Sequence, residues 1–426
     1  ASAAPPDSVE QRTSFVRGIK GVDELIDSVR RRTAGQVRYV GEWHSHPPRS
    51  SARPSAVDGK QIDWLAALMG MDSMPALMVI AAERELAVIF AGLALSGGGA
   101  RAIAFHLGCL RALHQLGILQ RVQVLSTVSG GSVIGALYAA NDEPFPAFEA
   151  RVRAALRRGI AGPTIRTAFL TLEGPKALLC WVLVGTANLL FVALTWLLWL
   201  GRLLLPVRFR PPWPAETWHL PFRRFASRTT IFRRALNVVL FAGKRLSDLQ
   251  GRRPFLIVNA AELRTGSAFY FSSTQSGSWR LGKLASPEVS LAHAVTASAA
   301  YPMFLPALDE DLPFDKRDGS RRCERVTLSD GGVYDNLGLA PLWPDRDPAI
   351  SLNVEPVDTI ICCRAGYGLR HDPPSQFMIA RLKSAIACIH DRAQNASMKR
   401  LFELRESGKL RHVVLPYLGQ DDSRLK

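Results

Sequence analysis

Three short glycine-bearing segments bring together the residue types that acyl transfer needs: LSGGGAR at 95–101, STVSGGS at 126–132 and SDGG at 329–332. Ser129 stands in the second, at the joint between an apolar run and a helix-like one. A serine on such a turn is pushed out of a sheet edge, where its hydroxyl can attack a carbonyl. The usual spacing is G-x-S-x-G. Here Thr127 occupies the first glycine position, while Gly130 and Gly131 follow the serine. The same turn also suits a structural bend or a phosphate-cradling loop. Gly97, Gly98 and Gly99 can aim several backbone amides at one point, at the positive end of a helix. That geometry suits an oxyanion hole, worth about 3–4 kcal/mol per donor, and it equally suits a phosphate. Nucleotide binding is disfavoured because no Walker Lys-Ser/Thr follows and the G-x-G-x-x-G spacing fails at Ala102. Asp330 closes the set. A carboxylate at a strand end can take a serine proton directly, although Asp-Gly-Gly is also an ordinary β-turn.

The elements that must hold these residues are visible as hydropathy patterns. Ala91–Ser96 reads as an apolar strand, followed by a helix with Ile103, Leu107, Leu110 and Leu113 roughly on one face. Val122–Val128 reads as a buried strand and Val133–Ala140 as the start of a helix. Val326–Ser329 reads as the strand that delivers Asp330.

GGGAR, then VSGGS, then SDGG, in that order, resembles the patatin-like phospholipase family. PFLIVNAAELRTGSAFYF (254–271) and SLAHAVTASAAYPMFLPAL (290–308) resemble that family's middle strands and its helix end. The resemblance covers about residues 92–426. It implies a three-layer α/β/α hydrolase with Ser129 as nucleophile, Asp330 as base, the Gly97–Gly99 loop as oxyanion hole and Gly130-Gly131 as the elbow. It implies hydrolysis of fatty-acyl esters of membrane lipids without a cofactor. Because the family uses a dyad, His106, His114 and His293 are expected to be packing or surface residues.

Residues 1–91 read differently. Val37–His46 (VRYVGEWHSH) reads as a strand that puts His44 and His46 on one face. WHSHPPRSSARPSAVD resembles the JAB/MPN (JAMM) metalloprotease signature. The resemblance implies a partial α+β domain with Zn²⁺ on His44, His46 and Asp58, Ser55 aiding the oxyanion, and isopeptidase chemistry on a ubiquitin-like partner. PALMVIAAERELAVIFAG (75–92) would supply later strands. Glu42 is adjacent to the ligands and reads as structural. A hydrolase fused to such a module resembles bacterial defence systems.

Composition bounds the rest. The chain has 426 residues and a net charge of +16, enough for two domains with their own cores. Its six cysteines show neither a paired framework nor C-x-x-C spacing, which favours a reducing compartment. The start lacks the apolar core of a secretory signal. Ala177–Gly201 is 25 residues without a charge, ~37 Å as a helix, enough to cross a hydrocarbon core of about 30 Å. The apolar segment is bounded at 177–205, and a basic stretch, 202–245, carries ten Lys/Arg against one acid, Glu216. One crossing would separate Ser129 from Asp330. The segment is therefore expected to dip in and return near Gly185–Asn188, or to lie in the interface as an apolar lid; a true span is the third alternative and would put the Ser129–Asp330 pairing in question. Trp-rich, arginine-rich flanks suit the headgroup zone, so the expected partner is an anionic phospholipid surface, with the catalytic domain cytoplasmic. Nucleic acid is not expected, because the arginines are interleaved with proline and apolar residues and no recognition motif appears.

Overall fold

The computed structural model describes residues 91–204, 223–286, 288–347, 354–366 and 377–418, with short pieces of the first ninety residues (9–10, 15–16, 24, 27–28, 31, 41–45, 60 and 77–81). The chain divides into two units, Ala1–Ile89 and Phe90–Lys426, two residues earlier than the sequence suggests.

In the first unit the strand Gly41–Ser45 pairs in parallel with Leu77–Ala81, and Val9–Glu10 pairs antiparallel with Phe15–Val16. His44 lies in the first of these strands. His46, Ser55 and Asp58 lie outside the described residues.

The second unit is built on a ten-stranded mixed sheet. In chain order its elements are β1 (Ala91–Leu95), α1 (Gly99–Gln115), β2 (Val122–Val128), α2 (Gly130–Ala139), α3 (Phe145–Arg158), α4 (Ala161–Leu170), α5 (Glu173–Leu204), α6 (Arg228–Leu236), β3 (Phe255–Glu262), β4 (Ser267–Ser272), β5 (Gly277–Ser278), β6 (Gly282–Leu284), α7 (Leu291–Ser298), β7 (Leu308–Asp315), β8 (Arg321–Asp330), α8 (Gly332–Asp335), β9 (Thr359–Cys363), α9 (Met378–Glu406) and β10 (His412–Val414). β3, β2, β1, β9 and β10 run parallel, which requires the crossovers that α1, α2 and the longer connections supply. β3 to β8 are antiparallel, and β8 returns to pair with the end of β3.

Strand residues alternate between faces, and the adjacent cysteines of β9 show what covers each. Cys362 belongs to a buried cluster with Ala94, Val124, Ile257 and Ile360, under Leu401 and Leu404 of α9 and Leu337–Leu342. Cys363 faces the other way, onto Cys109 and His106 of α1. Both faces of the parallel strands are thus covered by helices. This explains why β1, β2 and β9 read as continuous apolar runs rather than as alternating ones.

The turn expected near Gly185–Asn188 does not form. α5 runs unbroken for 32 residues, ~48 Å at 1.5 Å per residue. A mid-helix glycine costs only about 1 kcal/mol relative to alanine, and the flanking leucines, alanines and valines are tolerant of helix. Cys180 is its one fully buried residue. The half-buried positions Ala177, Val184, Ala187, Asn188, Phe191 and Thr195 recur every three or four residues with it, so a single stripe is covered. The remaining surface is exposed and apolar, with Leu189 at 68%, Leu190 at 70% and Trp181 at 74%.

Candidate active site

The placement of the two reacting groups follows from strand register. β2 runs parallel to β3 and its last residue, Val128, stands opposite Asn259. β8 runs antiparallel to β3 and its last residue, Asp330, stands opposite Ala260. The two strands therefore end at neighbouring positions on β3. Ser129, the next residue after β2, meets Asp330 there, and its Oγ donates to Asp330 Oδ2 at 2.7 Å. The other carboxylate oxygen, Oδ1, accepts the Gly332 N–H at 2.7 Å. The two side chains that the sequence singles out thus lie within hydrogen-bond distance of each other.

Ser129 has φ 51° and ψ −118°, a strained backbone for a residue with a Cβ, costing on the order of 1–3 kcal/mol. Its neighbours permit this. A Cβ on Gly130 would lie 2.2 Å from the Gly99 carbonyl oxygen, and one on Gly131 would lie 2.3 Å from the Leu95 carbonyl oxygen. The elbow thus packs directly on the glycine loop, with no room for a side chain. The Ser129 N–H is held by Ser298 Oγ at 2.9 Å, which also bonds Ser132 Oγ at 2.8 Å.

Thr127 departs from the glycine of the usual elbow, and the structure shows how that is absorbed. Its Oγ1 donates to the Ile257 carbonyl at 3.0 Å. Its Cγ2 fills the space that a Cβ on Gly135 would need, 2.4 Å away. Gly135 of α2 therefore does what the missing glycine would do. Gly135→Ala should destabilise the fold by about 1–3 kcal/mol. Thr127→Ser, which removes only the methyl, should restore most of that loss in the double variant. Denaturant unfolding of the three variants checks it; additive losses would refute the pairing.

The glycine loop divides its labour differently from the expectation. The Gly97 N–H donates to the Asn336 carbonyl at 3.0 Å, so Gly97 braces the loop and is not a free oxyanion donor. Gly98 and Gly99 have φ of 147° and 65°. Among the described residues no acceptor takes the N–H of either. They remain the loop's donors, joined by Gly130 at the start of α2, whose N–H is equally unengaged. Asn336 also carries its side-chain oxygen close to both Gly97 and Gly332, coupling the oxyanion loop to the turn that holds Asp330. Sequence reasoning missed Ser298, Gly135 and Asn336. Only Ser298 lay inside a segment singled out by resemblance, and nothing local marks the other two.

Electrostatics suit a base. Burial raises the Asp330 carboxyl to about 6, against the lowering effects of the Ser129 hydroxyl and the Gly332 N–H. Asp335 is also raised by burial, opposed by four backbone N–H donors from 337–340, and it anchors the turn after α8. The histidines are not part of the pair. His106 is buried and its Nε2 lies 2.8 Å from the Ser96 carbonyl. His114 stacks on Phe145 at 4.5 Å. His293 lies 3.4 Å from Glu310, with its pKa lowered by burial.

The basic stretch is partly neutralised. Arg223 pairs with Asp311, Arg233 with Glu310, Lys244 with Asp142 and Arg245 with Glu288. Arg208 and Arg210 lie outside the described residues. Five exposed apolar residues border the Asp330 turn and the end of α7: Tyr301, Met303, Phe304, Val333 and Tyr334.

Comparison with known proteins places this geometry. A family profile described as patatin-like phospholipase matches residues 93–343. Over 80 residues the chain is 36% identical to the CD-NTase/cGAS isopeptidase of Enterobacter hormaechei subsp. hoffmannii (strain UCI 50), which covers 19% of this chain and 42% of that protein. Over 57 residues it is 47% identical to Lysophospholipase NTE1 of Coccidioides immitis (strain RS), covering 13% of this chain and 3% of that one. The chain thus spans less than half the length of these curated relatives. Among solved structures it is similar to human GIVD cytosolic phospholipase A2 (TM-score 0.39, 16% identity, 71% of this chain and 46% of that one). It is also similar to VipD from Legionella pneumophila (TM-score 0.32, 16% identity, 69% and 52%).

Proposed function

The chain belongs to the patatin-like phospholipase family, and on that premise we propose that it is a membrane-associated lipid acyl hydrolase working through Ser129 and Asp330. The observation that carries this is the 2.7 Å bond from Ser129 Oγ to Asp330 Oδ2. As Oγ attacks the ester carbonyl, its proton passes to Oδ2. The amides of Gly98, Gly99 and Gly130 then receive the charge that develops on the carbonyl oxygen. Collapse breaks the acyl C–O bond, the departing alcohol takes the proton from Asp330, and Ser129 is left acylated. Water attacks the acyl carbon next, Asp330 accepting its proton; the acyl–Oγ bond breaks as Oγ takes that proton back, and the fatty acid leaves. The apolar residues bordering the Asp330 turn suit an acyl chain.

Fatty-acid release from anionic liposomes tests this. Ser129→Ala should reduce it by at least 10³-fold, with or without a zinc chelator. Release that survives the substitution would sink the proposal. The base must be ionised to work. On a soluble ester, kcat/KM should therefore fall tenfold per pH unit below about 6, where Asp330 titrates. A profile flat down to pH 5 would exclude Asp330 as the base.

Membrane attachment through α5 is part of the same reading. β2 and β3 flank the insertion in sequence and hydrogen-bond to each other, so both ends of α5 stay on one side of a bilayer. A single crossing is incompatible with that pairing. α5 lying in the interface satisfies it, with the basic stretch toward anionic headgroups and the catalytic unit on the cytoplasmic side.

A second reading concerns Ala1–Ile89. The 80-residue similarity to a protein named as an isopeptidase, with the H-x-H-P signature, supports a JAB/MPN-like unit that holds Zn²⁺ and engages a ubiquitin-like protein. Chelator-sensitive cleavage of an isopeptide-linked substrate by the full chain, insensitive to Ser129→Ala, would establish it. Its absence would leave this unit without an activity of its own.

A further inference from the structure

We propose that His106, Cys109 and Cys363 form a binding site for a soft divalent cation of the zinc class, beneath the strand that leads into the oxyanion loop. A ring nitrogen of His106 and the Sγ atoms of the two cysteines lie within 4.8 Å of one another. His106 and Cys109 are three residues apart on α1, so they share a face. Cys363 ends β9, opposite Leu95 of β1.

The histidine's tautomer follows from its partner. Nε2 lies 2.8 Å from the Ser96 carbonyl oxygen, and a carbonyl only accepts, so Nε2 carries the hydrogen. Nδ1 then bears the lone pair, and it is buried with no hydrogen-bond partner in a side chain that is 0% exposed. A buried acceptor left unpaired is costly, and a metal ion is one way to satisfy it. A ligating imidazole whose other nitrogen donates to a backbone carbonyl is the arrangement that fixes such ligands in metal sites.

The donor set selects the ion. Two sulfurs and one imidazole suit Zn²⁺, and hard cations such as Mg²⁺ or Ca²⁺ are disfavoured. Binding converts both thiols to thiolates and releases two protons, so charge balances on a neutral complex. His106 and Cys363 are buried, whereas Cys109 is half-buried, which gives the ion its entry and leaves a fourth position toward Cys109 for solvent. Ser96 joins this cluster to the glycine loop. Its N–H donates to the Cys363 carbonyl at 3.1 Å, and its Oγ accepts the Ala365 N–H at 2.8 Å. An ion here would clamp α1 to β9 beside Gly97.

The full chain, reduced with a phosphine and stripped with a chelator, would be titrated with Co²⁺ and followed by absorption. The expected result is a thiolate-to-cobalt charge-transfer band that saturates at one equivalent and is discharged by Zn²⁺. A centre formed by His44, His46 and Asp58 contains no sulfur and cannot give that band. Cys109→Ser should lose it, and Cys323→Ser, at an exposed thiol on β8, should keep it. Circular dichroism verifies that each variant is folded. Absence of the band in the unsubstituted chain overturns the site, as does a band that persists in both Cys109→Ser and Cys363→Ser.

Discussion

Asp330→Asn should abolish ester hydrolysis and at the same time raise the thermal midpoint of the protein. The amide has the shape of the carboxylate, and its oxygen can still accept the Gly332 N–H. Its nitrogen would donate to Ser129 Oγ, occupying the lone pair that must attack and offering no base to take the proton. A loss on the order of 10⁴-fold in kcat is expected, as for other serine hydrolases whose acidic member is neutralised. The stability gain comes from linkage. The folded carboxyl titrates at about 6 because of burial, above its ordinary 3.8, so the folded state binds the proton more tightly than the unfolded chain. Stability contributed by this group therefore falls as pH rises from about 4 to about 6 and stays low above that. Removing the charge should return at most about 3 kcal/mol at pH 7. Thermal melts of both proteins at pH 7 and near pH 4 check the sign: the variant leads at pH 7 and the gap closes in acid. A variant that is less stable at pH 7, or that keeps a hundredth of the activity, would contradict the assignment of Asp330 as a buried base.

The second large effect is expected on α5. Leu189 and Trp196 are 68% and 58% exposed and stand two turns apart, on the face opposite the half-buried stripe. Among the ring contacts of the described residues, arginine at both positions removes the edge contact of Trp196 with Trp199, 5.6 Å between centroids on the same exposed helix. In a bilayer each arginine costs about 2.5–3.5 kcal/mol at full depth and less near the surface. Binding to anionic vesicles should therefore weaken by at least 100-fold, measured by co-sedimentation. Hydrolysis of a soluble short-chain ester should stay within about twofold of the parent, because neither residue contributes to the hydrogen bonds that hold Ser129 and Asp330. Unchanged vesicle binding would remove α5 from the membrane reading and leave the basic stretch to account for it.

Much of this site could be read from the chain itself, and the parts that could not share a physical cause. β1 and β2 were legible because buried parallel strands are continuous apolar runs closed by glycine; Val122–Val128 matches its observed bounds. Ser129 and Asp330 were identified by motif order, not by geometry. Their meeting depends on which residues of β3 each strand ends against, a non-local register that no local pattern encodes. The same holds for Asn336, whose carbonyl occupies the Gly97 N–H, and for Gly135, whose missing side chain admits Thr127. The continuous course of α5 was misjudged because glycine and asparagine at 185–188 read as a bend. In a helix with apolar neighbours their propensity cost is too small to break it. His46, Ser55 and Asp58 lie outside the described residues, so the metal reading of the first unit rests on sequence resemblance.

The nucleophile and its base are 201 residues apart in the chain, and that distance has a consequence in time. At a synthesis rate of about 5–20 residues per second, Ser129 emerges from the ribosome roughly 10–40 s before Asp330 does. Throughout that interval β8 cannot pair with β3, and the serine has no proton acceptor. On the proposed reading, a chain stalled before β8 already contains α5 yet would be chemically inert at a membrane. On the proposed mechanism, hydrolysis begins only when the strand carrying the carboxylate closes onto the sheet, so synthesis of β8 itself acts as the safety catch.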